Sequence, residues 1–258
     1  MKYYRIVALI YKYLYLVRHN LDRIFDIIYW PIMSLLVWGF TTVYLKDVTG
    51  SSQFISFFIG GLILWTLMLR SQQDISIFLL EDFWSRNIYN TFSSPLKNNE
   101  IFLATALFAA FRSLIALGIL GVMAYLLYSF NILSFGVLGI VMLASNLIFF
   151  GSALGILVAG FIYRYGMEIQ VFAWSIAFLF QPFSAVFYPR EVLPGILHTV
   201  SLAIPTSHVF EGMRAALQNG IIPWSNLGVA FALNIIYLIM AYFTFSHFIE
   251  KSRKTGFL

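Results

Sequence analysis

The chain has 258 residues, 60% of them hydrophobic and 10% charged, where a soluble domain carries roughly 25% charged residues. That composition excludes an ordinary water-soluble globule. The absence of cysteine excludes disulfides, cysteine metal sites and thiol nucleophiles. The net charge of +5 would suit nucleic acid, but its distribution along the chain, set out below, assigns it to membrane topology.

Residues 1–24 are too charged to span a bilayer. On a helical wheel Lys2, Arg5, Lys12, His19 and Arg23 share one face, and Tyr3, Ile6, Ile10, Tyr13 and Val17 lie away from them. This pattern predicts an amphipathic helix along the headgroup boundary, attracted by anionic lipid. Charges recur through the stretch and no small-residue cleavage site follows an apolar core, so it is not read as a cleavable signal.

Residues 25–258 read as one all-helical membrane domain of six spans: Phe25–Tyr44, Phe54–Leu69, Ile101–Phe130, Ser134–Tyr163, Ile169–Phe187 and Asn226–Phe248. Most of these apolar runs reach the roughly 18 residues that cross about 30 Å of hydrocarbon as helix. They are unbroken, whereas a barrel strand would alternate. The second is short and is expected to continue through Gln72 and Gln73.

Between the second and third spans, residues 70–100 are expected on the cytoplasmic side. In "LLEDFWSRNIYNTFSSPLKNNEIF", Trp84, Ile88 and Phe92 recur every four residues, with Asp82, Arg86 and Asn90 on other faces. The spacing predicts a short helix with an aromatic edge, stopped at Ser93-Ser94-Pro95 because the residue before proline is pushed out of the α region. Such an edge suits another protein's groove, or packs on the chain's own second and third spans.

The third span carries Arg112, roughly 16 Å along a helix from the start of its run. A charge there must face protein or water, or snorkel. Trp65, Arg112, Gln170 and Gln181 are the candidates for a translocation path, each with a structural reading beside it. Gly151-x-x-x-Gly155 in the fourth span suits close helix packing.

Residues 188–225 are half-polar. Pro194 and Pro205 enclose about ten residues, too few to cross as helix. Ser207 is expected to cap a second short helix with Val209, Met213 and Leu217 as its apolar stripe, closed by Asn219-Gly220, and Glu211 and Arg214 are spaced to pair. Two short helices hinged at Pro205 would dip into the outer leaflet and return, which is tolerated at depth only when buried in protein or lining a cavity. The basic residues set the sides: twelve lie before the first span, in the 70–100 passage, after the fourth span or after the sixth, against Lys46, Arg190 and Arg214 opposite. This places both termini in the cytoplasm of a cell membrane protein and the proline-split segment outside.

Two stretches resemble the permease subunit of type 2 ABC transporters. "RNIYNTFSSPLKNNEIF" is similar to that family's cytoplasmic passage, with Ser94-Pro95-Leu96 and Glu100 matching its Ser-Pro-Leu step and following Glu. "LPGILHTVSLAIPTSHVFEGMRAAL" is similar to its outer pattern of Leu-Pro, a second Pro and a late Arg, matched by Leu193-Pro194, Pro205 and Arg214. Where the family commonly has Gly-Thr-Leu before the Ser-Pro step, this chain has Ile88-Tyr89-Asn90.

The resemblance implies an exporter of drugs, lipids or polysaccharides that works as a dimer, with a second copy or a paralogue, on two ATPase chains. Trp84, Arg86, Asn87, Ile88, Phe92 and Pro95 would couple to the ATPase, and Pro194, Pro205, Glu211 and Arg214 would build the outer hairpin. The chain has no G-x-x-x-x-G-K-[ST], so ATP and Mg are expected on the partner and no cofactor on this chain. His19, His198, His208 and His247 form no H-E-x-x-H, and no G-x-S-x-G occurs, so neither a metal site nor catalysis is expected. The alternatives are an ion-coupled secondary transporter, disfavoured because the carboxylates are read at span ends or in loops, and a non-transporting assembly factor.

Overall fold

The computed structural model describes residues 2–49, 53–220 and 222–254, and every regular element among them is helical. The α-helices are α1 (Tyr3–His19), α2 (Leu21–Thr49), α3 (Gln53–Trp84), α4 (Ile88–Ser93), α5 (Asn98–Tyr128), α6 (Gly136–Tyr165), α7 (Phe172–Phe180), α8 (Gly195–Leu202), α9 (Pro205–Asn219) and α10 (Trp224–Lys254). Short 3-10 turns at Ile132–Phe135, Gly166–Ile169, Gln181–Phe183 and Arg190–Val192 link them.

Among the described residues five helices, α2, α3, α5, α6 and α10, are long and apolar enough to cross a membrane. The fifth apolar run of the sequence is not a sixth helix of that kind. Its α-helical part, α7, has nine residues, or about 14 Å of rise, because Pro182 and the flanking 3-10 turns interrupt it. The chain nevertheless passes from one end of the bundle to the other over this stretch. At one end the indole N–H of Trp84 donates to Gln170 Oε1 at 3.4 Å, and at the other Phe187 stacks on Phe58, near the start of α3, at 4.5 Å.

α3 also corrects the sequence reading. It runs as helix to Trp84, so residues 70–84 are not loop, and the connection to α5 is confined to 85–97. Arg70, counted with the cytoplasmic cations, is a buried mid-helix residue paired with Asp26. Four polar residues follow Arg70 on α3, of which Ser71, Gln72 and Asp74 are buried and Gln73 is half-buried, so the polar break in the apolar run marks interior contacts rather than a span end.

α3 and α6 form the centre. A Cβ at Gly151 would lie 2.6 Å from the Met68 carbonyl oxygen, and one at Gly155 would lie 2.7 Å from that of Gln72. Only glycine lets the two backbones approach this closely. Ser71 Oγ donates to the Ile148 carbonyl at 3.2 Å and Ser76 Oγ to that of Gly155 at 3.3 Å across the same seam. On the other side of α6, Asn234 Nδ2 of α10 donates to Asn146 Oδ1 at 3.0 Å and to its carbonyl at 2.9 Å.

α1 is a helix, as its pattern predicts, but it packs on protein. Ile6, Leu9 and Tyr13 are buried, with the Tyr13 ring 4.9 Å from Phe78 and 5.9 Å from Phe108. Its basic residues differ from the expectation of lipid alone, because Arg5 and Lys12 pair with Glu100 and Asp82. The face turned outward carries Tyr3, Tyr4, Tyr11 and Tyr15.

Candidate functional site: two ends and a charged seam

The first end of the bundle gathers α1, the C-terminus of α3, α4 and the start of α5. α3 stops at Trp84 because Arg86 turns into the left-handed region at φ +54°, and α4 begins after Asn87. Trp84, Ile88 and Phe92 therefore do not share one helix. Trp84 belongs to α3, stacks on Trp174 at 6.2 Å and carries the Arg23 guanidinium 5.4 Å above its ring. Ile88 is buried among Phe78, Leu79 and Ile101. Phe92 lies in α4, and its side chain lies outside the described residues. Pro95 is exposed, Asn87 is half-buried, and the outward surface of the passage is Ser85, Arg86, Tyr89 and Asn90.

Two buried carboxylates tie this end together. Asp82 Oδ1 accepts from Lys12 Nζ at 2.5 Å and Asp82 Oδ2 from Thr91 Oγ1 at 3.1 Å, joining α1, α3 and α4. Glu100, in the first turn of α5, accepts from the backbone N–H of Lys97 at 3.0 Å and of Lys2 at 2.7 Å, and from Arg5 Nη1 at 3.4 Å. Arg5 also donates to the Pro95 carbonyl. A carboxylate at a helix N-terminus satisfies donors that have no intrahelical partner, which explains why it tolerates full burial.

Deeper in the bundle a charged seam joins α2, α3 and α5. Arg112 is buried and donates to Asp74 Oδ1 at 2.6 Å and to the Arg23 carbonyl at 3.2 Å, with its guanidinium 5.2 Å over the Phe78 ring. Arg70 Nη1 donates to Asp26 Oδ2 at 2.7 Å and its Nη2 to the Asp26 carbonyl. Arg23 pairs with Glu81 at 2.6 Å. Asp74 is thus a carboxylate inside a span, where sequence reading placed none. The signal was present, because a buried arginine needs a counter-charge and α3 continues past Gln73.

The four residues proposed to line a path are not brought together. Trp65 is buried 6.4 Å from Phe210, with its Nε1 unpartnered among the described residues. Arg112 lies in the charged seam, Gln170 meets Trp84, and Gln181 opens the 3-10 turn after α7.

The second end is built by α8 and α9. Pro205 is the first residue of α9 rather than a break before it, since its missing N–H is not needed there. Ser207 is accordingly inside the helix and not its cap, and its Oγ donates to the carbonyls of Ser201 and Ile204. Val209 and Met213 are fully buried, and Gly220 at φ +67° closes the helix. Glu211 Oε1 accepts from Arg214 at 2.7 Å, the expected pair, and from the Arg190 backbone N–H at 2.7 Å. Arg214 Nη1 reaches the carbonyl of Ala185, itself held at φ +52°, at 2.7 Å.

His208 sits among these groups. Arg190 Nη2 can only donate, so His208 Nδ1 accepts at 3.3 Å and Nε2–H donates to the Leu202 carbonyl at 2.9 Å, which fixes the neutral ring. Burial lowers its pKa below the ordinary value. Pro194 precedes α8, whose Ile196, Val200 and Leu202 are exposed. Among the described residues no three His, Cys, Asp or Glu side chains are placed to hold a metal.

No curated protein matches the chain. The ABC-2 type transporter family matches residues 12–217, from α1 to the last turns of α9. The match covers most of a helical chain with five membrane-crossing candidates, so this integral membrane protein belongs to the ABC-2 type transporter family, as the permease component of an ABC transporter.

Proposed function

We propose that the chain is the membrane half of an ATP-driven exporter, assembled as a dimer with a second copy or a paralogue and bound to two ATPase chains that hold ATP and Mg. The stretch from Gln170 to Phe187 makes the sixth crossing, so that both termini lie in the cytoplasm. α8 and α9 form an outer re-entrant hairpin, with the apolar side of α8 toward lipid and α9 seated in protein.

One observation carries the coupling part of this reading. Helix α3 ends in a left-handed turn at Arg86 that leaves Arg86, Tyr89 and Asn90 exposed, on a base cross-tied by Asp82 and Glu100. A push on that knob reaches α1, α3 and α5 together. Closure of the ATPases would then open the dimer seam, with the outer hairpin as the far gate.

The double variant Arg86→Glu/Tyr89→Ala tests it, because both side chains are exposed and their loss does not disturb the interior. ATPase co-purification with the tagged permease should fall at least tenfold while membrane insertion is retained. Undiminished co-purification would remove the coupling assignment.

A further inference from the structure

A cavity of about 460 Å³ lies between α2, α3 and α7, lined by Trp30, Trp174 and Phe178 together with Asp26, Arg70 and Gln73. Its wall on α2 is only partly covered: Arg23 and Asp26 reach α3, yet none of residues 21–30 is buried, whereas Pro31 and Leu35 are. The cavity combines three aromatic rings with a small set of polar groups, the composition of a ligand site rather than a packing gap. Trp174 has one face taken by Trp84, with ring planes 19° apart, which fixes its orientation. Gln73 and Ser34, also in the lining, make no side-chain hydrogen bond to another described residue, so their polar groups are free for a ligand.

The charges in the wall cancel. Arg70, 5% exposed, gives one nitrogen to Asp26 Oδ2 at 2.7 Å and another to the Asp26 carbonyl. A ligand with an anionic or cationic head would have to break this pair and strand one of its members in a partly dry site, a heavily penalised arrangement. A neutral head loses nothing of that kind. It can accept from Gln73, donate to the second Asp26 oxygen, and lay its apolar ring faces on tryptophan.

We infer that this cavity binds the uncharged, hydroxyl-rich headgroup of an amphiphile, and that the Asp26–Arg70 pair is the element that rejects charged heads. The inference rests on the transport reading, and it deepens that reading by naming the cargo class. The site also differs from the scattered path candidates Trp65, Arg112, Gln170 and Gln181, none of which lines it.

The test is equilibrium binding of tritiated dodecyl maltoside to the full chain in phosphatidylcholine nanodiscs, with empty discs subtracted. Saturable binding is expected, weakened at least tenfold by Trp174→Ala and by Gln73→Leu. Unlabelled dodecyl phosphate and dodecyltrimethylammonium, with the same alkyl chain, should compete at least tenfold less well than the maltoside. Asp26→Asn leaves Arg70 without its counter-charge and should reverse the order in favour of the phosphate. Absence of saturable binding, equal competition by the charged probes, or unaltered preference in Asp26→Asn would each overturn the inference. No ATPase chain is present in this assay, so it can fail while ATPase association stands, and the two readings fall separately.

Discussion

The two ends of the molecule are held by different kinds of bond. At the end that carries α1 and α4 the ties are charge pairs between elements far apart in sequence: Lys12 with Asp82, Arg5 with Glu100 and Arg23 with Glu81, with Arg112–Asp74 and Arg70–Asp26 behind them. At the end that carries α8 and α9 the ties are local. Ser207 bonds to Ser201, His208 to Leu202 and Glu211 to Arg214, the longer reaches run to Ser184 and Ala185, and one bond from outside comes from Tyr237 of α10 to the Ala203 carbonyl at 3.3 Å. The first arrangement locks α1, α2, α3 and α5 into a braced unit. The second ties the hairpin mainly to itself and to the stretch that leads into it, so it can loosen without touching the charge pairs of the first end.

The sharpest way to break this contrast is at the brace. Asp74→Ala strands Arg112 in the interior and should cost about 3–5 kcal/mol, read as a shift in denaturant unfolding of the detergent-solubilised chain. Asp74→Leu with Arg112→Met should recover most of it, since a well-packed apolar pair is often neutral relative to a buried ion pair. If Asp74→Ala is tolerated without loss, the charged seam is not a brace.

A smaller effect is expected nearer the surface. Glu100→Ala removes the acceptor shared by Lys2, Lys97 and Arg5 and should cost about 1.5–3 kcal/mol. Hydrogen exchange should speed up across α1 and the first turn of α5 while α8 and α9 keep their protection. Acceleration at the far hairpin would show that the two ends are not independent.

The smallest effect concerns pH and the local end. The pKa of His208 is lowered in the fold by burial, so the unfolded or opened hairpin binds the proton more readily. The stability it contributes is present above the ordinary value of about 6.5 and is lost as pH falls below it. Once the intrinsic slowing of exchange with falling pH is divided out, the protection of the amides around Leu202–His208 should therefore fall between pH 7 and pH 5 while that of α1 is unchanged, and His208→Gln should flatten the response. A pH-independent hairpin would detach His208 from its stability.

Much of this was legible before any coordinates. Unbroken apolar runs predict long helices because backbone groups in hydrocarbon must be satisfied within their own segment, and five runs became such helices. Gly151 and Gly155 proved to be contact points because a missing Cβ is itself a spacing signal. The misreadings share one cause. Polar residues in an apolar helix look like a span boundary, so Arg70 and Asp74 were set at or beyond the end of a span that in fact continues to Trp84. Period alone likewise joined Trp84 to Ile88 and Phe92, since it carries no sign of the positive φ at Arg86. Spacing showed the Glu211–Arg214 pair within one helix, but the pairs between elements were not legible, because Lys12–Asp82 and Arg5–Glu100 depend on how α1 folds back on the bundle.

The central claim is that the braced end faces the cytoplasm and the hairpin end faces outward. The chain has no native cysteine, so single substitutions at exposed Tyr89, between α3 and α5, and at exposed Thr199, in α8, can be labelled without background. In intact cells a membrane-impermeant maleimide should modify Thr199→Cys and leave Tyr89→Cys untouched, with the reverse in inside-out vesicles. Labelling of both positions from one compartment would contradict it.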